Sequence, residues 1–253
     1  MNYSLSIKTL SDIHLKEFIN CPHKFYYHYI QREEASKVEW KKVMQFIVNQ
    51  VVKDFFMLPV KMRTPIKALE IIEKHLTSIK TNIFDSKIDY YLVVAKVTDY
   101  LMQDLTKNYG TLPPLFINEK FRQYFEELET HLSLTIEVAE WEQESFTVTK
   151  YLVDTNNEMI TLYYYLTVVF CERSFGRLPS SIRIVSLLNG EEFVHCPSPT
   201  EMKKGLHYIE KLIDTLSAPL SSSTKPNGEV CLSCPFVEVC ANDEIEFLFQ
   251  KKH

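Results

Sequence analysis

Four cysteines, one near the start of the chain and three near its end, constrain the fold more than any other feature. Cys21 stands alone, and Cys231, Cys234 and Cys240 follow as C-x2-C-x5-C. Two thiolates separated by two residues can turn back onto one metal centre, and a third five residues on can close another corner. Thiolates suit soft centres, either tetrahedral zinc or an iron–sulfur cluster, and spacing alone does not choose between them. Three ligands leave a corner open. Cys21, in Asn20-Cys21-Pro22-His23-Lys24-Phe25-Tyr26-Tyr27, is the natural candidate to fill it. Such a centre would clip the two ends of the chain together. The first thirty residues carry Lys8, Asp12, Lys16, Glu17 and Lys24 without an apolar run, so no secretory leader is read there. A cytoplasmic, reducing setting is expected, which disfavours disulfides. Cys171 and Cys196 are expected to be small buried hydrophobes.

The remaining composition excludes several classes. With 45% hydrophobic and 24% charged residues, the 253-residue chain has ample material for a core, and no apolar run is long enough to span a membrane. Five glycines and no phosphate-cradling Gly-rich loop argue against nucleotide hydrolysis. The histidines are scattered, and no Cys–His or Ser–His–Asp constellation can be argued. Net charge is −5, but residues 1–82 hold 13 Lys/Arg against 8 Asp/Glu. That basic N-terminal third reads equally as a phosphate-tracking face or as solvated helix surface. The aromatic run Tyr26-Tyr27-His28-Tyr29 reads as core packing before base stacking.

Patterning predicts an α/β core. Ser11 caps a short helix with Ile13, Leu15 and Phe18 inward, and Pro22 restarts a second helical piece. Residues 39–57 have helical periodicity through Trp40, Val43, Phe46, Ile47, Val51 and Phe55. Thr64-Pro65 opens another helix with Ala68, Ile71, Ile72 and Leu76 inward, and a long helix runs from about Ser86 to Gly110. Strands follow at Pro114–Tyr124, His131–Trp141 and Ser145–Val153, with Leu132, Leu134, Ile136 and Val138 alternating. A helix over Asn157–Arg173 precedes Gly176. Ser181–Leu188 and Glu191–Cys196 flank Asn189-Gly190, a two-residue hairpin signal. Thr200–Leu216 is a final amphipathic helix, and the polar linker 221–228 leads to the cysteine triplet.

The stretch Leu10-Ser11 through Phe18-Ile19-Asn20-Cys21-Pro22-His23-Lys24-Phe25-Tyr26-Tyr27 resembles the N-terminal signature of RecB-like PD-(D/E)XK nucleases. Cys231-x2-Cys234-Pro235-Phe236-x3-Cys240 is similar to the iron–sulfur knot of that superfamily's clustered branch, which includes the AddB nuclease domain and small CRISPR-associated exonucleases. The resemblance implies a restriction-endonuclease-like core, with a mixed central sheet flanked by helices. It also implies an N-terminal helical arm, and a [4Fe-4S] cluster held by Cys21, Cys231, Cys234 and Cys240, with zinc as the alternative. The regions it implies are 1–112, helical with the first cluster cysteine; 113–220, the nuclease-like core; and 221–253, the cluster segment.

The catalytic motif of that family is degraded here. Its Gly-x3-His falls on Gln45 and Asn49, and its first strand Asp on Glu137. Its Asp/Glu-x-Lys falls on Thr149-Lys150-Tyr151 or on Val148-Thr149-Lys150, and its Gln-x3-Tyr on Met159 and Tyr163. With at most one carboxylate, a hard divalent cation lacks oxygen ligands. The expectation is therefore a catalytically silent, DNA-binding or scaffolding subunit in DNA repair, recombination or defence, partnered by a helicase or nuclease. The first alternative is an active Mg²⁺- or Mn²⁺-dependent exonuclease that supplements Glu137 with Glu140, Asp154 or Glu158. The second is a zinc-stapled interaction module.

Overall fold

In the computed structural model, which describes residues 7–107, 112–142, 145–218, 220, 231 and 233–241, a mixed six-stranded sheet carries helices on both faces. Strand β1 (Thr9–Ser11) leads into α1 (Asp12–Asn20), α2 (Pro22–Phe25) and a π-helical turn over Tyr26–Gln31. Helices α3 (Trp40–Met57), α4 (Pro65–Leu76) and α5 (Lys87–Lys107) follow. Strands β2 (Phe116–Phe125), β3 (Thr130–Glu142) and β4 (Ser145–Leu152) form the meander. Helix α6 (Asn157–Phe175), strands β5 (Ser181–Ser186) and β6 (Glu192–His195), and α7 (Glu201–Ser217) complete the described elements.

Local chemistry explains the boundaries. Ser11 accepts from the His14 N–H and the His14 ring accepts from the Ser11 N–H, a reciprocal cap that starts α1. Thr64 caps α4 with Pro65 at its first position, and Asn156 caps α6 through the Met159 N–H. Gly176 ends α6 in the left-handed conformation at φ 62°. Between α3 and α4 the buried Arg63 guanidinium donates to the Phe56 and Leu58 carbonyls and lies over the Phe56 ring. One side chain thus satisfies the end of α3 and fixes the corner.

Two apolar layers sandwich the sheet. Helices α3, α4 and α5 pack on one face against Val138, Tyr151, Val153 and Val185. Helices α6 and α7 cover the other, against Leu132, Leu134, Ile136, Ala139, Phe146 and Val148. Helix α6 is apolar nearly all round because it lies between the sheet and α7. Gly205 lets those two helices approach, since a Cβ there would lie 2.7 Å from a Val169 methyl.

Several sequence expectations need correcting. Ile13 and Phe46, expected inward, are about 60% exposed (59% and 62%). The alternation through β3 breaks: Leu132, Leu134 and Ile136 face α6, but Val138 faces α3. The phase slips at Glu137, which with the facing Asn118 (φ 51°) drops out of the β2–β3 pairing while the register on either side is unchanged. The β5–β6 connection is longer than two residues, because the Leu187 and Leu188 N–H groups bond the Leu152 and Val153 carbonyls of β4. Cys171 is buried as expected, whereas Cys196 is exposed. The C-terminal stop at Gly110 and the linker 221–228 lie outside the described residues. Among the described residues, no helix is long and apolar enough to cross a membrane.

Candidate functional site: a plugged fork in the sheet

Strand β3 has β2 along one edge. Its other edge is shared: β1 pairs in parallel from Thr9↔His131 to Ser11↔Ser133, and β4 pairs antiparallel from Val138↔Thr149 to Glu142↔Ser145. Leu134–Glu137 have no ladder partner on that side. Beyond Thr149, β4 leaves β3 and continues beside β5 alone. The result is a fork, closed at its base by the start of α1. Asp12 enters immediately after β1, Lys150 immediately after the last β3–β4 pair, and Glu137 projects from the edge between them.

The three side chains meet. The Lys150 ammonium lies 3.2 Å from an Asp12 oxygen and 3.2 Å from a Glu137 oxygen. It is 4.5 Å from the centre of the Tyr163 ring on α6, and reaches the Thr135 carbonyl at 3.5 Å. Glu137 uses its other oxygen to accept the Tyr151 N–H at 2.7 Å, a group freed where the strands separate. Exposures of 2% for Asp12, 3% for Glu137 and 8% for Lys150 leave the cluster sealed.

Burial works against the Lys150 charge, but Glu137 foremost, then Tyr163 and Asp12, hold the ammonium well above its ordinary range. Burial pushes the Glu137 carboxyl up, against Lys150 and the Tyr151 N–H. Those directions oppose each other within one pair. The Lys150 nitrogen lies 3.2 Å from both carboxyls, the geometry of a paired ion cluster. Lys16, one turn along α1 from Asp12, faces the same cluster, and burial lowers its ammonium with help from Lys150. Asp12, Glu137, Lys150 and Lys16 thus balance in formal charge.

The other motif positions are occupied by structural bonds. Gln45 donates to the Tyr151 carbonyl at 2.8 Å and accepts the Val153 N–H at 3.0 Å, so its amide closes the end of β4. Asn49 accepts from the same Gln45 amide. Thr149 points to the opposite face and accepts from Arg183. The Tyr151 hydroxyl donates to Asp104, which also pairs with Arg183. Val148, on the Lys150 side and at the acid position of the second register, is packed in the apolar layer. Met159 accepts from the Asn20 amide.

The candidate replacement acids do not assemble. Glu140 interacts with Arg183, Arg63 and Asp104, and burial raises its carboxyl. Asp154 pairs with Lys41 at 2.5 Å at the rim, and Glu158 acts on Tyr208 beside α7. The carboxylate that does converge on Glu137 is Asp12, which the sequence reading missed. As the residue after an N-cap serine it reads as an ordinary first-turn acid. Only the β1–β3 pairing, three residues long, brings it to the fork. A surface cavity of about 320 Å³ lined by Ile7, Lys8, Tyr124, His131 and Ile213 lies elsewhere and includes none of these groups.

The described part of the cysteine segment sits against the N-terminal arm. Ser36 donates to the Pro235 carbonyl through both its N–H and its hydroxyl, and the Phe236 ring lies 5.7 Å from that of His28. The buried Cys21 sulfur accepts the Lys24 N–H at 3.4 Å, and Cys234 accepts the Phe236 N–H at 3.5 Å. Burial raises the Cys21 thiol, and the charges of Cys234 and Cys240 add to that rise. Burial also raises Cys234, opposed by the Phe236 N–H and Lys24. Among the described residues, no group of three or more His, Cys, Asp or Glu side chains is placed to hold a metal ion. The donor chemistry nevertheless suits a soft centre: four thiols, two of them already accepting backbone N–H groups.

No family model and no curated protein matches the chain. Among solved structures, it is similar to a crystal structure of a "putative exonuclease" from Eubacterium rectale. Identity is 8%, coverage is 85% of this chain and 82% of that one, and the TM-score is 0.45. No residue role transfers across a likeness of that depth.

Proposed function

We propose that this chain is a nuclease-fold protein whose cutting centre has been replaced by an internal ion cluster, and that it acts without catalysis as a DNA-binding or scaffolding subunit. The observation that carries this reading is the Lys150 ammonium sealed between Asp12 and Glu137. A divalent cation needs oxygen ligands and water in a site that a phosphodiester can reach. Here the cation seat is filled by an ammonium, and its 8% exposure leaves no room for a phosphodiester. Cys21, Cys231, Cys234 and Cys240 would hold a [4Fe-4S] cluster, or zinc, as a structural staple between the N-terminal arm and the C-terminal segment. A helicase or nuclease partner in DNA repair, recombination or defence fits such a subunit, as does a cytoplasmic setting.

A second reading has one observation in its favour. Asp12 and Glu137 do converge beside a lysine, the residue types of a metal-dependent nuclease. One experiment separates the two. Purified protein carrying its metal is incubated with labelled single- and double-stranded DNA, with Mg²⁺ or Mn²⁺, and binding is followed in parallel. The proposal expects retention of DNA without cleavage. Cleavage that disappears in both Asp12→Asn and Glu137→Gln overturns it.

A further inference from the structure

Strand β6 is the open edge of the sheet, and its backbone polarity can be assigned residue by residue. Among the described residues it pairs with β5 alone, in the register Ile182↔His195 to Val185↔Glu192. The Ser186 N–H bonds the Glu191 carbonyl. In an antiparallel ladder bonded pairs alternate, so Phe193 and His195 turn their N–H and C=O groups toward β5. The Leu187 N–H points the other way, to Leu152 on β4, which confirms the phase. Glu192 and Val194 therefore present their N–H and C=O groups outward, and Val194 is 57% exposed. An edge of this kind is usually blunted by charged side chains, lysine above all, by proline, a bulge, shortness or a covering loop. Strand β6 is short, but residues 192–195 contain no lysine or proline, their register with β5 has no bulge, and the Glu192 carboxylate is drawn back onto Arg183 at 2.7 Å.

We propose that β6 pairs antiparallel with β6 of a second copy of this chain, about a two-fold axis at Phe193. The axis is chosen by which residues then oppose each other. Only symmetric registers that place outward-facing residues opposite one another form bonds. Centring on Glu192 sets two like carboxylates face to face, which is repulsive. Centring on Val194 draws Cys196 and Pro197, beyond the strand end, into the ladder. Centring on Phe193 places Glu192 opposite Val194 of the second copy, giving four backbone bonds from β6 residues alone. On the α6 side, where Phe193 packs with Ile184 and Tyr163, it sets the two Phe193 rings together. The same register sets each His195 opposite Glu191 of the other copy. His195, already beside its own Glu201 at 3.4 Å, would gain a second carboxylate, the edge is complementary to itself in backbone polarity, and the joined sheet would have twelve strands, twice the six of one chain.

The test uses the full chain. Sedimentation across a concentration series should show a monomer–dimer equilibrium. Val194→Pro removes an outward N–H while leaving the β5 ladder intact, and should weaken the dimer about tenfold or more. In a Cys196→Ser background, Phe193→Cys should form an intermolecular disulfide on oxidation, because directly opposed residues are within bridging range. Val194→Cys, opposite Glu192, should not. A chain that stays monomeric at every concentration, or a dimer indifferent to Val194→Pro, overturns the proposal. So does a cross-link formed by Val194→Cys in place of Phe193→Cys. The sedimentation and proline arms decide the matter even if Phe193→Cys disturbs folding.

Discussion

Replacing Lys150 by Met should destabilise the protein severely, and the structure gives the scale. Two contacts of 3.2 Å at an effective dielectric constant near 20 correspond to about 5 kcal/mol of attraction each. Desolvation of the ions consumes most of that. What remains after deleting the ammonium is two buried carboxylates with Lys16 as their nearby cation, an undercompensated state that typically costs about 3–5 kcal/mol. Urea unfolding at neutral pH should therefore show a midpoint far below wild type with an unchanged slope. Acidification should relieve the loss in the variant by protonating the carboxylates. The triple variant Asp12→Asn, Glu137→Gln, Lys150→Met removes these three charges, leaving Lys16 to Asp154, and should recover about 2 kcal/mol or more relative to the single variant. A single variant within about 1 kcal/mol of wild type, or a triple variant no better than the single, would falsify the account of the fork as a charge-compensated cluster.

Other outcomes follow from the same coordinates. Gln45→Ala leaves the Tyr151 carbonyl and Val153 N–H unmatched and should cost about 1–3 kcal/mol in thermal or urea unfolding. Gly190→Ala places a Cβ 2.1 Å from the Tyr100 ring at a φ of 71°, and should lower the melting temperature where Gly176→Ala, with open space around it, does so less. Glu17 is buried, and Lys42 and Lys24 outweigh that burial to hold its carboxyl below the usual range. Its folded value is depressed, so its contribution is present above the ordinary carboxylate range and lost as pH falls below it. Glu17→Gln should accordingly flatten the acid limb of a stability–pH profile. Cys234→Ser should remove bound metal and visible absorbance together with heat resistance; an equally heat-resistant, equally coloured variant would refute the staple.

Much of this molecule can be read from local pattern. The caps at Ser11 and Thr64 and the end of α6 before Gly176 rest on short-range chemistry, and each stands where the sequence places it. That Val148 and Thr149 carry no carboxylate is legible as well. The cluster at the fork is not. Asp12 and Lys150 come together through a three-residue strand, below the length at which alternation is a signal. The reversal of faces in β3 is equally hidden, since it depends on the left-handed backbone of the facing Asn118 and the unpaired position at Glu137, not on an apolar pattern. Phe46 and Ile13 fit an apolar period yet face outward, because amphipathic spacing fixes a stripe but not its width.

The placement of β1 beside β3 also sets an order of events in folding. Thr9 must find His131, and Asp12 must find a lysine 138 positions downstream. Closing so large a loop yields only three residues of strand, so local helices and the β2–β3–β4 meander have every reason to form earlier. The head of the chain is made first and docked last. Until it arrives, Lys150 and Glu137 stand in water with half a strand edge uncovered, and a chaperone or a premature neighbour would meet the molecule there.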